Sequence, residues 1–373
     1  MVLMALDHTR DFFGGASINP TDLATTTVPL FFTRWITHFC APVFCLLTGT
    51  GAYLARRRRT TAQLSTFLLT RGLWLVVLEL TIGRFFWQFN VDYHVTIITV
   101  LWALGWSMVV LAALVRLPTW VAGVFGGAMI VLHNLTDAVA PASFGSLAPL
   151  WTILHRPGLL YAAPGHIVIL AYPLIPWIGV MAVGYALGAA FGMDTDRRRG
   201  ILLRAGLAMT AAFLVLRAVN VYGDPFPWSA QRTGAFTLLS FLNLTKYPPS
   251  LLFLLMTLGP ALLFLRAVDG RSPPAVLRPA YIVGKVPMFY YLAHVLLLHV
   301  IAVAVCFARY DTIRYMFQSA TPDQFPVTQP AGWAMPLSVV YGIWMLVVVL
   351  LYPACRWYAG VKARSSNPLL SYL

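Results

Sequence analysis

An uninterrupted apolar run occupies residues 251–265, which read LLFLLMTLGPALLFL. With its flanks it is one of nine apolar stretches close to the length of about 20 residues that an α-helix needs to cross a bilayer. The predicted spans are 29–55, 66–89, 96–115, 118–140, 166–190, 200–222, 249–267, 279–306 and 333–356. Continuous runs of this length favour helices over a β-barrel, whose strands alternate over about ten residues. The sequence therefore predicts an all-α, polytopic membrane protein.

The composition agrees with a lipid environment. Of the 373 residues, 59% are hydrophobic and 10% are charged, whereas soluble domains are about 25% charged. A shorter apolar run over residues 1–13 raises the expected number of helices to about ten, and we interpret it as a first helix that begins upstream of Met1. No repeat, linker or soluble segment interrupts the chain. One transmembrane domain over residues 1–373 is expected.

Basic residues cluster in alternate short loops. Four consecutive arginines occupy positions 56–59, three more occupy positions 197–199, and others follow between Arg266 and Arg278 and in the C-terminal tail. This distribution predicts that these loops and the C-terminus lie in the cytoplasm. It also accounts for the net charge of +14 without a nucleic-acid partner. The lipid bilayer is the partner that the charges indicate.

The first helix carries the densest group of ionisable side chains, Asp7, His8, Arg10 and Asp11. Such side chains are costly within a membrane and mark candidate functional sites. Asp11 lies three residues from His8 and four from Asp7, so each pair shares a helix face. A carboxylate beside an imidazole fixes its tautomer and raises its pKa, as a general base requires. Alternatively, these residues begin a solvated outer loop and pair with one another.

Two further spans carry charged groups. Arg34 and His38 lie four residues apart on one face and could bind an anion or an acyl carbonyl, although Arg34 could equally extend to the interface. Glu79 is the only glutamate in the chain. Because an unpaired buried carboxylate is costly, the favoured interpretation is an ion pair with an arginine, and a proton relay is the alternative.

Two segments suggest substrate contacts. Lys246 and Tyr247 precede two prolines at the outer end of a span, where Lys246 could bind an anionic or hydroxyl-rich substrate or a lipid phosphate. Tyr291 and His294 belong to a polar stripe that favours a cavity lining, although a lone histidine in such a helix is often only hydrogen-bonded in the core. The four cysteines form no CxxC pattern, so neither a metal site nor a disulfide framework is predicted.

Several of these residues lie in segments that resemble one membrane family. The segments are VLMALDHTRDFF (2–13), NPTDL (19–23), TRWITHFCAPVF (33–44), LTGT (47–50), KYPPSL (246–251) and residues 284–294. They resemble a bacterial branch of the heparan-alpha-glucosaminide N-acetyltransferase catalytic-domain family, within the transmembrane acyltransferases. The resemblance spans most of the chain.

The resemblance implies transfer of an acetyl group from cytoplasmic acetyl-CoA to an extracytoplasmic sugar or other small acceptor, in a bacterial inner membrane. His8 matches the catalytic histidine of the wider group, in which an arginine lies eleven positions earlier. That arginine would precede Met1. In the lysosomal enzyme the essential histidine lies in the following loop, but here residues 14–29 contain none. His38 is therefore the competing candidate.

These indications combine into one functional hypothesis. His8 acts as a general base or transient acyl acceptor, oriented by Asp7 or Asp11, and Arg34 and His38 contact the thioester or the acceptor. Arg56, Arg57, Arg58 and Arg59 attract the CoA phosphates or anionic lipid. Glu79, Lys246, Tyr247, Tyr291 and His294 are the candidate substrate-binding residues. The alternative is a proton-coupled transporter of a small solute, and a homodimer stays open.

Overall fold

The computed structural model describes residues 1–16, 18–365, 367 and 370. Within this part of the chain, eight helices are long and apolar enough to cross a membrane. They are Val28–Arg58, Thr61–Gln88, Thr119–Thr136, Leu174–Gly192, Thr195–Val219, Leu251–Val268, Pro287–Tyr310 and Leu337–Arg364. Each overlaps a predicted span, so the prediction of a helical, multi-pass membrane protein is confirmed.

The spans predicted at 96–115 and 166–190 need correction. The first begins with a strand, β1 (Val95–Ile98), and continues as the 15-residue helix α6 (Val100–Leu114). At about 1.5 Å per residue this helix is shorter than the hydrocarbon core of about 30 Å. The second begins with another strand, β3 (His166–Leu170). Both strands are rich in β-branched residues, which fit a pleated sheet better than a helix.

The remaining elements follow in chain order. The helices are α1 (Val2–Phe13), α2 (Val28–Thr37), α3 (Cys40–Ala55), α4 (Thr61–Leu78), α5 (Arg84–Gln88), α7 (Thr119–Leu132), α8 (Ala148–Leu154), α9 (Leu174–Leu187), α10 (Thr195–Val219), α11 (Gly234–Leu242), α12 (Leu251–Val268), α13 (Arg278–Gly284), α14 (Pro287–Tyr310) and α15 (Leu337–Arg364). Strand β2 (Gly158–Ala163) pairs antiparallel with β3, and β1 lies on the other side of β3.

The chain divides into two compact units. Unit 1 comprises Met1–Cys40, Leu80–Thr96 and the chain from Ser272 onward, and unit 2 comprises Ala41–Glu79 and Ile97–Arg271. The single transmembrane domain over residues 1–373 stays a prediction.

In unit 1, α1 packs against α2, α14 and α15. Its Phe12 and Phe13 side chains are fully buried, in a core that includes Trp87 and Trp333. The Trp333 indole donates a hydrogen bond to the carbonyl of Phe12 over 2.8 Å. This packing fixes the axial position of α1, and therefore the position of the polar side chains one turn before Phe12.

In unit 2, three helix pairs cross at facing glycines. The pairs are α4 with α6, α7 with α9 and α10 with α12. Their facing glycines are Gly72 and Gly105, Gly126 and Gly179, and Gly206 and Gly259. Helices in lipid gain most of their association from close packing, because lipid is as apolar as their side chains. The absence of a Cβ at each crossing lets the two backbones touch.

Two neighbouring glycines on α7 provide a matched test of this packing. A Cβ on Gly126 would lie 2.5 Å from the Gly179 carbonyl oxygen, whereas a Cβ on Gly127 would have nothing within 4 Å. We expect Gly126→Ala to lower the free energy of unfolding by about 1–3 kcal/mol, because the backbones must separate. Gly127→Ala should be neutral or slightly stabilising through helix propensity. Thermal unfolding in detergent measures both, and equal midpoints would contradict the close crossing.

Candidate active site

Two histidines of unit 1 form a hydrogen-bonded chain. His8 lies in the middle of α1 and His294 on α14, with 2.7 Å between His8 Nδ1 and His294 Nε2. His294 Nδ1 in turn lies 2.7 Å from the carbonyl oxygen of Tyr290, one turn earlier. His294 is fully buried, whereas His8 is half-buried. The hydrogen-bonded chain therefore runs from the backbone carbonyl of Tyr290 through His294 to the more accessible imidazole of His8.

The carbonyl at one end determines where the protons lie. Because a carbonyl oxygen can only accept, Nδ1 of His294 donates to Tyr290. In neutral His294 this leaves the lone pair on Nε2, so Nδ1 of His8 must donate to it. Neutral His8 then carries its own lone pair on Nε2. An imidazole whose other nitrogen donates to a fixed acceptor has the tautomer and orientation of a general base.

Aromatic side chains surround His8. The ring of Trp87 stands edge-on to it at a centroid distance of 4.7 Å, and that of Tyr291 does so at 6.0 Å. The Trp87 indole N–H donates to the Tyr291 hydroxyl over 3.2 Å. These contacts restrict the rotation of the imidazole and shield one side of it from water. Tyr291, predicted to bind substrate, thus lies beside the predicted catalytic histidine.

The carboxylates of α1 lie in an arginine network. Arg34 on α2 donates through Nη1 to both oxygens of Asp7. Arg10 bridges Asp7 and Asp11, with Nη2 3.2 Å and 2.5 Å from their oxygens. The hydrogen bond that fixes the tautomer of His8 is instead the one that its Nδ1 donates to His294 Nε2. His294, which the sequence placed among the substrate-binding candidates, thus occupies the position expected for Asp7 or Asp11.

Removing either partner of the Asp7–Arg34 pair is expected to destabilise unit 1 strongly, because the other charge is left buried without its partner. Both side chains are nearly buried, at 12% and 13% exposure, and removing one partner of a buried pair typically costs about 3–5 kcal/mol. We expect Asp7→Asn or Arg34→Gln to lower the thermal unfolding midpoint markedly in detergent, and the double variant to lose less than the sum. Asp11→Asn is the matched control, since its more exposed pair should contribute at most about 1 kcal/mol. Strict additivity of Asp7→Asn and Arg34→Gln would contradict the coupling.

His38 and His299 occupy different surroundings. His38 is 2% exposed and ends α2, one turn after Arg34. Both ring nitrogens of His299 lie near backbone carbonyls, those of Phe86 at 3.0 Å and Met316 at 2.8 Å. His299 therefore ties α14 to two neighbouring segments, as a structural histidine does.

The interpretation of Glu79 as the partner of an arginine is wrong. Within the described chain no arginine forms an ion pair with it; its Oε1 accepts hydrogen bonds from the backbone N–H and the hydroxyl of Thr99, at 2.5 Å and 2.6 Å. Arg84 instead contacts Asn90, Asp92 and the carbonyl of Val95. A wider helical turn extends over Glu79–Gly83, and two uncharged donors of Thr99, just before α6, take the place of the expected arginine.

The other candidates lie in unit 2. Lys246 is 8% exposed, with its ammonium 5.2 Å from the centre of the Tyr247 ring. The arginines at 56–59 are largely exposed after α3, where Arg56 donates to Thr119 and Arg57 to the carbonyl of Phe191. The structure thus brings Asp7, His8, Asp11, Arg34, Tyr291 and His294 together in unit 1. Lys246, Tyr247 and the arginine run all belong to unit 2.

Sequence reasoning missed two contributors to the histidine chain. Trp87 packs on His8, and the backbone carbonyl of Tyr290 fixes the tautomer of His294. Tryptophan at a span end is usually an interface marker, and a backbone carbonyl leaves no trace in a sequence. Only the four-residue spacing of Tyr290 and His294 could have indicated the second contact.

These features define a polytopic membrane protein with a hydrogen-bonded histidine pair beside an ion-pair network. The family model described as "Heparan-alpha-glucosaminide N-acetyltransferase, catalytic" matches residues 1–222. Because the match covers more than half of the 373 residues, the chain belongs to this family of membrane acetyltransferases. The matched part includes Asp7, His8 and Arg34, and His294 lies beyond it. No curated protein and no solved structure matches the chain.

Proposed function

We propose that this protein transfers an acetyl group from cytoplasmic acetyl-CoA to a sugar or similar small acceptor on the other side of a bacterial inner membrane. The observation that carries the proposal is the His8–His294–Tyr290 chain, because it leaves a basic Nε2 on His8. The family match supports the class of reaction. The positive-inside distribution supports a cytoplasmic C-terminus.

In this proposal His8 is the general base. Its Nε2 takes the proton from the acceptor hydroxyl or amine as the acceptor's oxygen or nitrogen attacks the thioester carbonyl. The carbon–sulfur bond then breaks, and CoA leaves as a thiolate that receives a proton from His8. His294 accepts the Nδ1 hydrogen bond throughout, so the imidazolium formed in between is stabilised without a change of tautomer.

The charged residues have supporting roles. Arg34, held by Asp7, and His38 one turn later polarise the thioester carbonyl or hold the acceptor. Arg56–Arg59 attract the CoA phosphates, a role that the phosphates of anionic lipid would satisfy equally well. Lys246 and Tyr247 contact the acceptor. In each assignment a cation or a hydrogen-bond donor faces negative charge, either on a bound phosphate or on the oxygen that becomes negative during the reaction.

The test is a pair of assays on the purified full chain in liposomes. We expect the release of thiol from acetyl-CoA to increase when sugars are added. When the acetyl group of the donor is labelled, we expect the label to appear in the sugar. A transporter would instead take up solute in response to a pH gradient and consume no acetyl-CoA. Gradient-driven uptake with thiol release no faster than in empty liposomes would contradict the proposal.

A further inference from the structure

Unit 2 contains a cavity of about 190 Å³. It lies where α7 ends, next to the segment after α8 and the loops that flank α11. Four polar side chains and two aromatic rings line it, namely Asn134, Asp137, Arg156, Thr245, Phe226 and Tyr247. Only Tyr247 among them was singled out from the sequence. Cavities for drug-sized ligands measure about 300–1,000 Å³, so this one fits a smaller molecule.

The polar wall is fixed by its own hydrogen bonds. His155, fully buried, lies 3.1 Å from one oxygen of Asp137, and the Asn134 amide donates to the other over 2.7 Å. The Asn134 side-chain oxygen accepts from the backbone N–H of Leu251 over 2.8 Å. Arg156 donates to the backbone carbonyl of Asp137 over 2.7 Å. A ligand would therefore meet groups already held in place, which lowers the entropy cost of binding.

The cavity offers one fixed anion and one fixed cation. Burial raises the pKa of Asp137, but the hydrogen bonds from His155 and Asn134, together with the electrostatic attraction of His155 and His133, hold that pKa below its usual value. Asp137 is therefore an ionised acceptor at neutral pH, while Arg156 can only donate. The two charges offset each other, so neither a cation nor an anion is favoured as such. A hydroxyl group, which donates and accepts, satisfies both.

The aromatic wall supplies an apolar face. Phe226 is 69% exposed, and its backbone carbonyl is held by Arg217 over 2.8 Å. The Tyr247 ring stands edge-on to Tyr172 at 5.1 Å, which restrains it. An exposed phenyl ring held by its backbone next to fixed polar groups suits a ligand with one hydroxylated edge and one carbon face.

We propose that this cavity binds one uncharged, polyhydroxylated ring of hexose size, with its hydroxyls on Asp137 and Arg156 and its carbon face on Phe226. The assignment of this sugar as the acetyl acceptor rests on the proposed function. The binding itself does not, because every residue invoked lies in unit 2 and none takes part in the histidine chain.

Isothermal titration of the purified full chain with methyl α-D-glucopyranoside tests the proposal. We expect one site of millimolar affinity, weakened about tenfold in Arg156→Gln and in Phe226→Leu. Both side chains are exposed, so neither variant should unfold. Phe264→Leu is the matched control, because Phe264 is 64% exposed on α12 outside the cavity, and it should bind as the wild type does.

Unchanged binding in Arg156→Gln and Phe226→Leu would overturn the proposal. Much tighter binding of glucosamine or glucuronate would also overturn it, because charge rather than hydroxyl geometry would then govern recognition. Failure of the proposed function can be distinguished from failure of the cavity proposal. Sugar binding without consumption of acetyl-CoA would support the cavity and contradict acetyl transfer, whereas transfer with no sugar binding at the cavity would do the reverse.

Discussion

Replacing His8 with asparagine is expected to lower acetyl transfer about a thousandfold, within the range of about 10²–10⁴ that general acid–base catalysis contributes. The asparagine amide can still donate to His294 Nε2 from nearly the position of the lost Nδ1, which lies 2.7 Å from it. The variant therefore keeps the hydrogen bond and loses the basic nitrogen. The measurement is the turnover of acetyl-CoA with a saturating sugar, together with the thermal midpoint as a check on folding.

His294 should act as a positioning residue. His294→Gln retains an oxygen that can accept the Nδ1 hydrogen of His8, so we expect it to keep more activity than His294→Leu, which has no acceptor. The effect should fall on kcat rather than on KM, because orientation of the base matters in the transition state. Equal activity of the two variants would contradict the tautomer argument.

The control for both substitutions is His94→Asn. His94 lies in the same unit, in the loop before β1, and its side chain is 58% exposed. Its replacement should leave turnover unchanged. If His8→Asn kept wild-type turnover while His94→Asn also did, the catalytic assignment of His8 would be wrong and His38 would become the leading candidate.

Replacing Arg217 with methionine is expected to destabilise unit 2 by about 4 kcal/mol or more. Arg217 is 1% exposed and donates to four backbone carbonyls, those of Phe226, Ser240, Phe241 and Asn243, over 2.8–2.9 Å. Three of these lie at or just after the end of α11, where helix carbonyls lack partners of their own. Each unsatisfied buried group costs about 1–3 kcal/mol, and methionine satisfies none of them.

Arg204→Met on the same helix is the control for Arg217. Arg204 is exposed and its Nε contacts only the Gly200 carbonyl of its own helix, over 3.3 Å. We expect its replacement to move the thermal unfolding midpoint little, whereas Arg217→Met should lower it by many degrees and loosen the loop before α11, as measured by hydrogen exchange. Similar midpoints for the two variants would show that Arg217 does not hold the loop.

The long apolar spans could be predicted because hydrophobicity over about 20 residues is a local property of the chain. The sheet could not, because residues such as 95–98 and 166–170 are as apolar as the helices that follow them. Whether such a run forms a strand depends on whether a partner strand is available, and β3 and β1 are more than 60 residues apart in the sequence. The same limit applies to Glu79, whose donor Thr99 lies well beyond it in the sequence, between β1 and α6.

The sequence by itself determined that the protein crosses a lipid bilayer and which ionisable side chains lie in its apolar spans. The hydropathy pattern predicted that Asp7, His8, Arg34 and His294 lie within or beside apolar spans, because few charged residues interrupt those spans. Only the tertiary structure decided which of these groups meet. His8 pairs with His294, 286 positions away, rather than with a carboxylate on its own helix. The physical reason is that helix packing, which no local pattern encodes, brings α14 against α1 and leaves both carboxylates to the arginines.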